Sequence, residues 1–256
     1  MKKLTTLATA IALSIIFGIT VAPKATAQSG FLDDYSIFDD ITPEEQKRMD
    51  DRYEFLTMVH LTPQMEEVMS KHKAILIDQP EVWIDPDSPY QGLKPEAVKA
   101  LADFMRQKVV DELEGDFELA SEPGPGVAIL EWAMTDMYLQ KKKKKFYSFT
   151  PIGFVATATT LAVINDIWKK VDMVEIKIEV ALYNDSGELI GAAIAEQGAR
   201  KDKEAGQKKR DPVSWDKYDK IMSNIAVQVG CALENSRLPE GQKIYCAERL
   251  TPINEE

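Results

Sequence analysis

Residues 174–182 set Val174, Ile176, Ile178, Val180 and Leu182 in strict alternation with Glu175, Lys177, Glu179 and Ala181. Successive side chains of a strand point to opposite faces, so this pattern predicts a half-buried strand with one apolar and one solvated face. Asn184-Asp185-Ser186-Gly187 then supplies a turn, and 189–195 return as a second apolar run, which together predict an antiparallel hairpin. Such a hairpin must bury its apolar face against another layer. Two segments can provide it. In 93–113, Val98, Leu101, Ala102, Met105 and Val109 recur at helical spacing, and after an N-capping Ser214 the last helix carries Trp215, Met222, Ile225, Val229 and Leu233. Further strands are predicted in 73–85, interrupted by Pro80, and in 117–120 and 127–138. The order β-α-β-β, an apolar crossover, then β-β-α predicts an α+β fold: a mostly antiparallel sheet with helices packed on one face.

Both ends of the chain carry separate signals. Lys2 and Lys3 precede an uncharged apolar run over 4–22, and Ala25-Thr26-Ala27 has the small-x-small pattern of a cleavage site. This predicts a signal peptide over 1–27, cleavage after Ala27, and a periplasmic or secreted soluble protein. Next, 28–72 read as an extended aromatic arm and an N-terminal helical appendage, with Thr42, Pro43 and Glu45 forming a capping box. An α+β domain is assigned to 73–234 and a tail to 235–256. Cys231 and Cys246 are the two cysteines of the chain. An oxidising compartment would pair them, tethering the tail to the last helix with about 3 kcal/mol of loop-closure stabilisation.

Several of these stretches together resemble the DUF3313 family of bacterial envelope proteins of unknown function. They are 29–36 (SGFLDDYS), 77–88 (IDQPEVWIDPDS), 90–93, 123–127 and the hairpin 175–193. The resemblance covers roughly 29–233 and implies an envelope address. Family members are typically predicted lipoproteins, and this chain has no cysteine at the end of its leader. The resemblance brings no catalytic residue with it.

Composition and motifs narrow the chemistry. A net charge of −11 disfavours a nucleic-acid partner, because an acidic surface repels phosphate. No G-x-G-x-x-G, Walker or G-x-S-x-G pattern occurs, so no cofactor, metal or catalytic residue is assigned. Asp78, Glu81, Asp85 and Asp87 form the densest acidic group on structured chain. They suit a calcium site or an acid/base pair, although Asx residues before Pro and Ser are ordinary turn formers. His60 and His72 read as lone surface or helix-terminal residues, and the four tryptophans as core or sheet–helix contacts. Lys141, Lys142, Lys143, Lys144 and Lys145, followed by Phe146, Tyr147 and Phe149, make a candidate contact surface. It could face core, a protein partner or anionic lipid. The leading expectation is a non-catalytic binding or assembly factor with an envelope protein partner or self-association, and with peripheral membrane contact as a further option. A carboxylate-based hydrolase centred on Glu81 and Asp85, or a lipid- or glycan-binding module, are the alternatives.

Overall fold

The computed structural model describes residues 29–53, 55–141, 160–198 and 214–252. Its centre is a seven-stranded mixed sheet, mostly antiparallel by paired length, and the fold is α+β. The antiparallel half joins β1 (Met58–Leu61), β7 (Leu189–Gly198), β6 (Val171–Tyr183) and β5 (Val127–Lys141) in that order. Along the other edge of β5 lie two short parallel strands, β2 (Ala74–Ile77) and β3 (Glu81–Ile84), and β4 (Glu118–Ala120) pairs outside β2.

The break at Pro80 divides the strand expected over 73–85 into β2 and β3. Proline has no N–H to give the ladder. The chain bridges the gap through Asp78: its amide donates to the carbonyl of Leu130, and its carbonyl accepts from the Trp132 indole at 3.0 Å. Residue 77 is held from the helix side, where Arg106 donates to its carbonyl at 3.1 Å.

Five helices accompany the sheet among the described residues: α1 (Pro43–Arg52), α2 (Met65–Lys71), α3 (Pro95–Leu113), α4 (Thr160–Lys170) and α5 (Trp215–Asn235). The capping box expected at Thr42 and Glu45 is present, and Ser214 caps α5 by accepting from the Lys217 amide. The main core fills the space between the sheet and α3, α4 and α5. Ile75, Ile77, Leu130, Trp132, Met134, Ile176 and Ile178 face Leu101, Met105, Val109, Ile164, Tyr218 and Ile225 there. One end of this layer is aromatic, with Trp168 and Trp215 rings 5.6 Å apart and Tyr218 5.3 Å from Trp168. Trp132 and Trp168 are buried core residues, whereas Trp83 and Trp215 are half-buried.

The structure departs from the sequence expectation at three places. β1 joins the sheet edge although four residues flanked by turns give too short a pattern to read. The arm at 29–38 is not extended but bends through a 3₁₀ turn, Ser36–Phe38. Most consequentially, β6 is not half-buried: Lys177, Glu179 and Ala181, expected in solvent, are 4%, 0% and 0% exposed. The arm covers Glu179 and Ala181.

Candidate functional site

The outer face of the sheet, opposite the helices, carries a buried cluster of polar and charged side chains. Register fixes which residues share it. Glu179 pairs with Ala133 of β5 and Ile194 of β7, and Lys177 pairs with Thr135. Beyond Thr135 the β5–β6 register shifts, and Asp136 adopts φ +50, a left-handed conformation that Asp tolerates better than most residues. Asp136 reaches the Lys177 ammonium at 2.8 Å from this irregularity. Lys177 also lies 3.9 Å from the Glu179 carboxylate, whose Oε1 accepts from the Thr135 hydroxyl at 2.9 Å.

The arm closes this cluster from above. Tyr35 donates its phenolic proton to Glu179 Oε2 at 2.5 Å. With that proton committed, the Ser29 hydroxyl donates to Tyr35 at 2.7 Å, and the Gly30 and Leu32 amides approach the same oxygen at 3.2 and 3.4 Å. Burial, followed by the Glu179 hydrogen bond, pushes the Tyr35 phenol above its ordinary range. Leu32 packs on Ala181 and Ala192 beside it, in an apolar cluster separate from the main core.

A second group lies at the rim of the same face. Glu131 of β5 feels Asp78, Glu81 and Asp33, which come from the β2–β3 connection, the start of β3 and the arm. Burial first, then these three carboxylates, raise the Glu131 pKa. The Tyr183 phenol is raised by burial and by the same Glu131 and Asp33 charges. Phe31 meets Trp83 edge-on at 6.5 Å in this region. The rim is therefore an acidic patch bordered by aromatics.

The acidic group singled out in the sequence divides accordingly. Asp78 and Glu81 enter the patch, Glu81 also accepting from the Trp83 indole at 2.6 Å. Asp85 and Asp87 belong to a turn instead: Asp85 accepts from the Asp87 amide at 2.7 Å, and the buried Ser88 exchanges two hydrogen bonds with the backbone of Leu139. No group of three or more His, Cys, Asp or Glu among the described residues is arranged to hold a metal ion. Asp33, Glu131 and the Tyr35–Glu179–Lys177 set escaped the sequence reading. Their one signal is an aromatic, Asp-rich arm able to cover a strand whose polar face carries paired opposite charges.

The remaining candidates have local roles. His72 is helix-terminal and buried, with Nδ1 2.7 Å from the Val68 carbonyl and Nε2 accepting from the Asp185 amide. His60 meets the Phe38 ring edge-on at 6.5 Å. Cys231 and Cys246 form the disulfide. Of the lysine-aromatic run only Lys141 is described; it ends β5 with its ammonium 6.0 Å from the centre of the Tyr90 ring. Lys142, Lys143, Lys144, Lys145, Phe146, Tyr147 and Phe149 lie outside the described residues. No described helix is long and apolar enough to cross a membrane. Between the β2–β3 connection and α3 runs a groove of about 440 Å³, lined mainly by Pro80, Val82, Leu93, Pro95 and Val98.

Among solved structures the chain is similar to the PelC dodecamer from Paraburkholderia phytofirmans, at 9% identity and a TM-score of 0.27, over 50% of this chain and 72% of that one. A point variant of that dodecamer gives 8% identity and a TM-score of 0.28, over 54% of this chain and 76% of that one. No curated protein matches the sequence. The family model described as "Protein of unknown function (DUF3313)" matches residues 27–229, most of the chain, and the protein belongs to that family.

Proposed function

We propose that this protein is an exported, non-catalytic binding or assembly factor of the cell envelope, acting in the periplasm after removal of residues 1–27. The observation that carries the reading is the acidic-aromatic patch around Glu131. Four carboxylates gather there from separate segments, and mutual repulsion of this kind is relieved when a cationic surface covers it. Aromatic neighbours such as Trp83 and Phe31 supply the apolar contact that protein interfaces favour. The partner expected is therefore an envelope protein, or another copy, presenting Lys or Arg.

Crosslinking in the native envelope, followed by identification of the captured protein, tests this. The expected result is one recurrent partner, lost when Asp78→Asn, Glu81→Gln and Glu131→Gln are combined in a variant that still folds. Unchanged capture by that variant, or an exclusively monomeric, partner-free chain, would overturn the reading.

A second reading, a lipid- or glycan-carrying module, has the groove beside α3 in its favour, because its walls are largely apolar. A bulky Val98→Trp change, which would fill the groove, should block such a ligand and leave partner capture intact. The hydrolase reading has no comparable support: Glu81 accepts from an indole and Asp85 is occupied in a turn.

A further inference from the structure

We propose that residues 29–38 are a strap that docks on and releases from the sheet as one unit, held shut by the Tyr35–Glu179 hydrogen bond. The proposal rests on the Tyr35–Glu179 contact and not on the partner reading, although the strap also carries Asp33 and Phe31 of the acidic-aromatic patch. Three features of the structure carry it.

The strap is knotted on itself. Tyr35 Oη gathers the Ser29 hydroxyl and the Gly30 and Leu32 amides, while the 3₁₀ turn bonds Phe38 and Asp39 back to Tyr35 and Ser36. These bonds link the segment into one unit while it is docked; a single 3₁₀ turn is not stable alone in water, so its amides are open to exchange once the segment leaves the sheet. Its boundary is also ready-made. Asp39 and Asp40 are exposed, and α1 begins at its own capping box, so release need not unwind the helix.

The strap's hold on the sheet is shallow. Leu32 is its one fully buried side chain; Phe31, Tyr35, Ile37 and Phe38 are half-buried and pack on the same outer cluster. Its apolar contacts share no residue with the helix-side core. This shallow apolar contact is joined by a charge-assisted hydrogen bond, Tyr35 to Glu179.

The surface beneath favours water when open. Closure seals Glu179, which is fully buried, and desolvating a charged group offsets part of what the contacts contribute. Opening rehydrates the Glu179 carboxylate. The net closing free energy is thus smaller than that of the main core, as expected for a locally opening segment.

Native-state hydrogen exchange on the full chain tests the device. The reporters are the Phe38 and Asp39 amides, neither of which touches the Tyr35 hydroxyl. In the unchanged protein they should exchange through an opening distinct from that of the β6 amides. Tyr35→Phe should speed both by at least tenfold, the effect expected from losing a hydrogen bond to a charged group, with β5 and β6 unaffected. Glu179→Gln, which keeps shape and a neutral acceptor, should give a smaller acceleration of the same amides. Two results would overturn the proposal: Phe38 and Asp39 exchanging only with the β6 amides, or no change in their rates in Tyr35→Phe.

Discussion

Asn235 shows how one side chain can fix the course of a whole tail. Its amide donates to the Ile244 carbonyl at 3.0 Å and its carbonyl accepts from the Ile244 amide at 2.8 Å, so it mimics a backbone partner for the returning chain. The Cys231–Cys246 bridge lies beside it, fully buried, and Asn224 repeats the reciprocal pairing with Thr251 further along α5. The tail is thus attached at three successive positions along one helix. Reduction, or Cys231→Ser with Cys246→Ser, should cost about 3 kcal/mol, the loop-closure term for a bridge of this span. For a domain of this size that corresponds to a fall of roughly 6–12 °C in Tm. Thermal melts with and without reductant check it, and a mass 2 Da lower in the oxidised chain, from two lost hydrogens, reports the bond itself. Equal melting of the two forms would show that Asn235 and Asn224 hold the tail unaided.

At the scale of elements, the contact between α3 and α5 is set by the absence of a side chain. A Cβ on Gly230 would lie 2.7 Å from Glu112 Cγ, close to the α3 backbone, where the side chain cannot swing away cheaply. Ala is ordinarily the better helix former by about 1 kcal/mol, yet here Gly230→Ala should destabilise by about 1–2 kcal/mol through overpacking. Adding Glu112→Ala should restore stability, because the two sites interact directly. Denaturant midpoints of the two single variants and the double variant decide this; a stabilising Gly230→Ala would refute it. Such a contact has no trace in the sequence, since Gly230 falls in an otherwise ordinary helical pattern. What periodicity could reveal was the type and order of the long elements: the β6–β7 hairpin, α3, α5 and the caps at Thr42 and Ser214. It could not reveal what covers the outer face. Alternation reports that one side of β6 is polar, but polar side chains are also buried when an arm brings them partners. Glu179 reads as solvated until Tyr35, 144 residues away, is placed on it. The acidic patch was legible to the same degree: Asp78 and Glu81 stand close in sequence, whereas Asp33 and Glu131 reach them only through the fold.

For the molecule as a whole, the consequence is a three-layer arrangement of unequal strength: a helix layer, the sheet, and a thin covering of arm on the far side. Charge is distributed to match. The main core is built of apolar side chains, with Gln228 and Asn224 of α5 also buried, and on the outer face burial and neighbouring charge push the Glu131 carboxyl and the Tyr183 phenol toward their neutral forms. A carboxyl whose folded pKa lies above its unfolded value binds its proton more tightly in the native state. Its contribution is therefore fully present below the unfolded value, near pH 4.5, and is lost as pH rises through the higher folded pKa. At neutral pH the ionised Glu131, facing the charges of Asp33, Asp78 and Glu81, thus opposes folding. Glu131→Gln should raise Tm at pH 7 and leave it nearly unchanged at about pH 3.5, where the native carboxyl is already neutral. Salt should narrow the pH 7 difference, since the Debye length falls to about 3 Å at 1 M. Melts of the two proteins across pH and salt measure all three effects. A Glu131→Gln chain less stable than its parent at pH 7 would show that the negative charge is already compensated within the fold, and would remove the unsatisfied repulsion from which a cationic partner was inferred.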